Sequence, residues 1–338
     1  MRTSVKKKTV RFVRRFSSFL KMRPGGFALL SVLMIVSALS VLVMTHTRES
    51  LINLRMMRNF SDAKRAHYWA YGAYNLAISI LQKDNNNYDG PGDIWYGELP
   101  PIPVENAVVS ISIKDEKSRF NISYLVNQFG IEDKRRRAML TRIFDQLGLD
   151  EDLISGMVDW QDKDEIPVSG GAESSYYMSL LPPYQVPNER FKSPGEVLLV
   201  KGMGRKEYFL PPSAREVHTE EGFSALRDCI TVYGDGRINI NTAPIIVLMC
   251  LSEDMSKSIA EDIVSYREEN AFKSIEELKN VESVTDVLYD EIKDLITVKS
   301  NVFRVTCTGI INGITETIEA VLFRQSRGVR VVYFARSA

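Results

Sequence analysis

Hydrophobic and polar positions change rhythm several times along this chain. From Phe27 to Thr47 there are 21 consecutive residues without Asp, Glu, Lys or Arg. At about 1.5 Å rise per residue, such a block spans roughly 30 Å of hydrocarbon. Beyond it Met56, Phe60, Ala63, His67, Ala70, Tyr74, Ala77 and Leu81 recur in alternating steps of four and three, an apolar stripe on one helix face. No proline interrupts Thr47 to Lys83, and Gly72 is the single glycine there. The two patterns predict one helix from Phe27 to about Lys83, about 85 Å long, its inner half in lipid and its outer half packed on a soluble domain. Asp84-Asn-Asn-Asn-Tyr-Asp-Gly-Pro-Gly, a run of turn formers, ends it.

The period then shortens to two. Val109, Ile111 and Ile113 alternate with Val108, Ser110 and Ser112, which predicts a half-buried strand from Val104 to Lys114. From Ser118 the pattern turns helical, with helices expected over Phe120 to Gln128, Lys134 to Leu147 and Glu151 to Trp160. Strand character returns from Ile230 to Ile240 around a Gly234-Asp-Gly turn, and a helical stretch runs from Ala243 to Leu295. Three strands close the chain, Val302 to Thr308, Ile314 to Phe323 and Val329 to Phe334, with turns at Gly309 to Gly313 and Ser326 to Gly328. The predicted class is α+β: a long N-terminal helix and an antiparallel sheet, interrupted by a large helical insertion. The expected division is a basic leader (1–26), the membrane and stem helix (27–83), the first part of the head (84–117), a first helical module (118–229), a head strand (230–242), a second helical module (243–297) and the closing head strands (298–338).

The insertion contains a repeat. Phe191-Lys-Ser-Pro-Gly-Glu-Val and Phe272-Lys-Ser-Ile-Glu-Glu-Leu align 81 residues apart. In each, Ser193 or Ser274 is suited to cap a helix, with Glu196 or Glu277 three residues on to complete a capping box. Pro194 suits the first helical position, where its missing N–H costs nothing. Two related helical modules are expected.

Charge sharpens the membrane reading. The first 26 residues carry nine Lys and Arg and no acid. That flank predicts a single-pass membrane protein whose N-terminus stays cytoplasmic while the rest crosses outward. Without it, 34 bases face 43 acids, a net charge of about −9 that argues against a general polyanion binder. The Lys134-Arg-Arg-Arg137 run reads as a solvated helix face, with a partner patch as the alternative. Three cysteines, Cys229, Cys250 and Cys307, are too few for a disulfide scaffold; one bridge is open, such as Cys229 with Cys307, and the sequence does not assign it. His46, His67 and His218 pair with no nucleophile at useful spacing, so no enzyme is expected and no cofactor is required.

One cluster carries candidate chemistry. Asp159, Asp162, Asp164 and Glu165 follow the expected Glu151 to Trp160 helix, where the dipole already leaves partial negative charge. Glu173, in Gly170-Gly-Ala-Glu, is placed to close back onto the same ion. Oxygen-only ligands suit Ca²⁺ rather than zinc. The alternative is a solvated acidic turn.

The remaining readings come from resemblance. Gly25-Gly26-Phe27, set between the basic flank and the apolar block, resembles the class III leader of type IV pilins and type II secretion pseudopilins. That implies a prepilin peptidase cutting between Gly26 and Phe27, and N-methylation of Phe27. Ser31 is then the fifth mature residue, where most such proteins carry Glu to pair with a neighbour's N-terminus. A carboxylate in lipid is costly unless paired. Ser31 needs no neighbour, since its hydroxyl bonds back to a carbonyl one turn earlier.

Ile238-Asn-Ile-Asn-Thr-Ala-Pro through Phe272-Lys-Ser-Ile-Glu-Glu-Leu resembles helix-hairpin-helix (SAM-like) domains of DNA-uptake proteins. The hairpin glycines that let a backbone approach phosphate are replaced by Cys250-Leu-Ser-Glu-Asp-Met-Ser, so nucleic acid is not expected as a partner. Taken with Lys117-Ser-Arg-Phe-Asn-Ile, Val158-Asp-Trp-Gln-Asp-Lys-Asp, Gly171-Ala-Glu-Ser-Ser-Tyr-Tyr and Pro182-Pro-Tyr, the chain is similar to the minor pseudopilin K family of type II secretion. The resemblance implies a pilin-like head at the tip of a periplasmic pseudopilus, initiating or capping it with minor pseudopilins I and J. It also implies an anchor in the inner membrane, a periplasmic head and an origin on the inner-membrane assembly platform. The competing expectation is a DNA-uptake or type IV pilus minor pilin with a DNA-binding module.

Overall fold

The computed structural model describes residues 24–97, 99–215 and 225–337. Residues 1–23 of the expected leader and His218 lie outside them. The chain divides into two compact units, residues 1–64 and 65–338.

The first unit is helix α1 (Pro24–Lys83) as far as Lys64. The helix begins at Pro24 rather than at the expected Phe27, since proline's fixed φ suits a first helical turn. Its apolar block reaches a mean hydropathy of 2.7 with its side chains exposed, the composition and length of a membrane span. Ser31, Ser37, Ser40, Thr45 and Thr47 each donate to a carbonyl three or four residues back, at 2.7–2.9 Å. Every hydroxyl of the block is thereby satisfied without water, as hydrocarbon requires.

In the second unit α1 packs on a five-stranded antiparallel sheet. Its strands, in order across the sheet, are β1 (Ile102–Val104), β2 (Ala107–Asp115), β7 (Val302–Ile311), β8 (Ile314–Gln325) and β9 (Gly328–Ser337). Of the stem stripe, Ala70, Tyr74, Ala77 and Leu81 are buried, and beside it so is Ala66, which packs with Ala107 and Ile311. The four stripe residues meet Val109, Ile111, Ile113, Phe303, Val305, Cys307 and Ile318. Met56 and Phe60, on the same stripe, are exposed. Gly309 lies inside β7 instead of in a turn. A Cβ there would sit 2.3 Å from the Ala66 carbonyl, so glycine lets stem and sheet touch. The turn is Asn312-Gly313, both with positive φ.

Between β2 and β7 lies the insertion, built twice on one plan. The first module opens with β3 (Phe120–Asn121), runs through α2 (Lys134–Leu147), α3 (Asp152–Asp159), α4 (Ser174–Met178), α5 (Arg205–Phe209) and α6 (Leu226–Cys229), and closes with β4 (Ile230–Thr231) paired in parallel to β3. The second opens with β5 (Ile238–Asn239), runs through α7 (Ile245–Met249), α8 (Lys257–Glu269) and α9 (Asp286–Ile292), and closes with β6 (Ile296–Thr297) parallel to β5. The repeated Phe-Lys-Ser segments hold equivalent places. Phe191 and Phe272 are buried, and each lies three residues before a 3₁₀ turn, Pro194–Leu199 or Ile275–Asn280. Glu196 and Glu277 accept from Lys192 N (3.2 Å) and Lys273 N (2.7 Å), one residue before the expected cap position.

Four expectations are corrected. Phe120 to Gln128 is not a helix, because Phe120–Asn121 is drawn into the parallel pair with β4 and only Ile122–Tyr124 makes a 3₁₀ turn. The 230–242 stretch is not a head strand, since its two short strands pair within the modules. The basic run is a solvated face only at Lys134 and Arg135, which are exposed, whereas Arg136 and Arg137 are half-buried. Arg136 donates to Gly236 O (3.0 Å), Arg137 pairs with Glu132 (2.9 Å), and Arg135 bonds the Glu291 carbonyl. Cys229 and Cys307 are free and lie in different cores.

A buried polar joint fixes the insertion to the sheet. Asp115, ending β2, accepts from Lys117 N (2.7 Å), Asn239 Nδ2 (2.8 Å), Thr242 Oγ1 (2.6 Å) and Ser300 Oγ (2.5 Å). Next to it the fully buried Glu116 pairs with Arg304 of β7 (2.6 Å) and Arg119 (3.1 Å), and accepts from Thr231. Both modules thus bond to carboxylates at the end of one strand, which burial would make costly if left unpaired.

Candidate functional site

Helix α3 carries the start of the acidic sequence, and its geometry sorts the five carboxylates. Asp159 ends the helix, and Asp162 continues one more turn through its amide bond to Val158 O (3.0 Å). Three residues apart on a helical backbone, they share a face. Glu173, immediately before α4, returns to them. One oxygen from each of Asp159, Asp162 and Glu173 lies within 4.8 Å of the other two, and all three residues are buried. Asp164 and Glu165 are exposed and stay outside the trio, accepting instead from Ile166 N (2.8 Å) and Ser174 Oγ (2.9 Å).

Asp159 is anchored by Val168 N, at 3.2 Å from both its oxygens. Gly171 makes room for that carboxylate: a Cβ there would stand 2.0 Å from Asp159 Oδ2. Asp162 Oδ1 and both oxygens of Glu173 are buried without a hydrogen-bond partner. Burial, reinforced by the neighbouring carboxylates, pushes Asp159 up to about 6, Asp162 to about 7 and Glu173 to about 8. Three convergent acids with orphaned acceptor atoms have the chemistry of a hard-cation site.

A second acidic group, missed in the sequence, brings together Asp84, Asp89 and Asp93. Its cation is a side chain: Arg324 of β8 pairs with Asp84 (2.6 Å) and with Asp89. Burial lifts Asp89 to about 6 even so. The turn-forming run after α1 held the signal, but its partner lies 235 residues further on.

At the helix-hairpin-helix-like turn between α7 and α8, Glu253 and Asp254 face solvent and Ser252 Oγ donates to Glu291 (2.6 Å). At the membrane end, Ser31 Oγ reaches Phe27 O at 2.7 Å, so the hydroxyl has its partner inside its own helix.

Comparison with known proteins accords with this architecture. Two family models, each described as "Type II secretion system (T2SS), protein K", match residues 118–209 and 238–299, nearly the two modules. The type II secretion system protein K of Pseudomonas aeruginosa is 27% identical over 271 residues, covering 75% of this chain and 76% of that protein. The protein of the same name from Aeromonas hydrophila is 30% identical over 202 residues, 55% of this chain and 61% of its own length. Among solved structures, the GspK-GspI-GspJ complex from the enterotoxigenic Escherichia coli type 2 secretion system contains a chain of the same fold. It aligns with a TM-score of 0.67 at 17% identity, covering 83% of this chain and 99% of that one. A long apolar helix, an amphipathic stem on an antiparallel sheet, and paired modules matched by the family's own models together place the chain in the type II secretion system protein K family.

Proposed function

We propose that this minor pseudopilin stands at the tip of the type II secretion pseudopilus and initiates or caps its assembly. The observation that carries the reading is the insertion, about 186 residues between Asp115 and Val302, mounted on a pilin-like head. Filament growth stacks equivalent heads around bundled stems, and a head enlarged this much fits where nothing is stacked above it. Ser31 supports the same position. With its hydroxyl satisfied by Phe27 O, the stem enters lipid without a carboxylate that would need a preceding subunit. The solved GspK-GspI-GspJ complex supports minor pseudopilins I and J as partners.

The leader is removed between Gly26 and Phe27, α1 anchors the chain in the inner membrane, and the assembly platform draws it into the periplasm. Immunogold labelling is expected to mark one end of the pseudopilus. Label spread along the shaft, at a copy number like the major subunit, overturns the tip assignment. Glu253 and Asp254 on the helix-hairpin turn speak against a DNA-binding relative, because carboxylates repel phosphate.

A second reading follows from the orphaned oxygens. Asp159, Asp162 and Glu173 would hold Ca²⁺, with Asp164 and Glu165 reached only through water, locking α3 to the segment before α4.

A further inference from the structure

The two edges of the head sheet are built differently. At one edge β1 is three residues long, is preceded by Pro101 and contains Pro103, which has no N–H to offer. Shortness and proline are how sheets blunt an edge. At the other edge β9 runs for ten residues with no proline, and Val331, Val332, Tyr333 and Phe334 are 44, 45, 38 and 48% exposed. Among the described residues, no backbone hydrogen bond outside the β8 ladder reaches β9. A bulge opposite Val321 and Leu322 turns this strand without shortening it.

We propose that β9 is the docking edge for an extended, acidic segment of another protein chain, which adds to the head as a sixth strand. The backbone of β9 dictates an extended occupant, because only a strand satisfies a row of unpaired N–H and C=O groups. Charge selects its composition. Gly328-Val-Arg-Val-Val-Tyr-Phe-Ala-Arg-Ser337 carries Arg330 and Arg336 and no carboxylate, and Arg327 stands at its turn. The register places the two arginines on opposite faces, Arg330 opposite Phe323 and Arg336 opposite Ile318. Arg330 lies over the Phe323 ring, 5.4 Å from its centroid, and Arg336 bonds Glu316 at 2.8 Å. Each face of an added strand therefore meets one guanidinium. A second copy of β9 would bring cations against cations, which cross-strand pairing penalises.

The side-chain pockets agree with a strand laid here. On the stem face Phe334 packs edge-on to Tyr74, 5.6 Å between centroids, which leaves an aromatic wall beside the edge. On the other face a cleft of about 580 Å³ crosses the sheet from Lys114 past Arg304 to Tyr333, walled by Tyr208, Phe209 and Arg227. It gives an anchoring side chain of the added strand somewhere to go.

The test uses the full-length chain in detergent. The probe is a peptide of the length of β9, capped at both ends, alternating valine and glutamate. Comparators replace every glutamate by lysine, or every second valine by proline. Binding is read by fluorescence anisotropy and by hydrogen exchange across residues 328–337, with residues 102–104 as internal control. The acidic peptide is expected to slow exchange in β9 alone and to bind about tenfold more tightly than the lysine peptide, a preference lost in R330E and weakened by salt. The proline peptide is expected not to bind. An unchanged melting temperature in R330E separates lost docking from lost fold. Unchanged exchange in β9 at millimolar peptide, protection elsewhere, or equal binding of the lysine peptide overturns the proposal. Protection of β9 on self-association without peptide overturns it too, naming a second copy as the occupant.

Discussion

The carboxylate trio gives the sharpest prediction, because removing one charge should stabilise the metal-free protein and lose most of that advantage when metal is present. With all three groups ionised and oxygens within 4.8 Å, each pair repels by about 3 kcal/mol at an effective dielectric near 20. Glu173→Gln removes two of those three repulsions while keeping the shape of the side chain. In chelator, buffered above the Glu173 value of about 8, the variant is expected to be more stable than the parent by a few kcal/mol. At roughly 2–4 °C per kcal/mol for a domain of this size, that is a rise of about 10 °C in melting temperature.

In excess calcium most of that difference should disappear. A ligand bound only by the native state stabilises it by about 2.7 kcal/mol when present at about a hundred times its Kd, and the Glu173→Gln variant would forfeit most of that. Differential scanning fluorimetry of both proteins, in calcium and in chelator, reads all four values. The reasoning fails if the parent melts at the same temperature in both buffers. It fails equally if Glu173→Gln destabilises the chelated protein, since the trio would then be held by bonds and not strained by charge.

Three further outcomes follow. N-terminal mass spectrometry of the membrane protein should find a chain starting at an N-methylated Phe27, and Gly26→Val should leave the leader in place; a mature start at Met1 or after Met44 would refute the cleavage. Asp115→Ala strands four donors at the head–insertion joint and should cost about 3–5 kcal/mol in urea unfolding, against less than about 1 kcal/mol if the joint is wet. Burial raises Asp89 from 3.8 to about 6, so its protonation favours the fold: the contribution is full below about pH 3.8 and lost as pH rises through about 6. Asp89→Asn should therefore flatten the stability profile across that window by about 3 kcal/mol, and an unchanged slope would refute the assignment.

The elements that sequence reading placed well are those whose signal is local. Lys134–Leu147 was legible because its apolar side chains recur at helical spacing, and Ala107–Asp115 because its buried residues alternate. Phe120–Asn121 was misread as helix, since a two-residue strand has no period to show and exists only because Ile230–Thr231 comes back to it. The duplication did leave further traces, in Phe120-Asn-Ile and Ile238-Asn-Ile at the module openings and in Ile230-Thr-Val and Ile296-Thr-Val at their closings. These are shorter than the Phe-Lys-Ser repeat and gain meaning only once paired. For the acidic site, composition brought out five carboxylates and a hard-cation chemistry. It had no means of separating the three that converge from the two that face water.

What the sequence determines by itself is thus whatever rests on one stretch of chain in contact with one solvent. An uncharged block of 21 residues makes a helix in lipid whatever follows it, and its five hydroxyls bond back within their own turns. Tertiary structure decides where chemistry from distant stretches meets: Glu173 beside Asp159, Arg324 between Asp84 and Asp89, Asn239 and Ser300 on Asp115. The physical reason is that a buried charge has no favourable place of its own. It is held where the fold delivers donors, a counter-charge or an ion to it, and that delivery depends on the path of the whole chain.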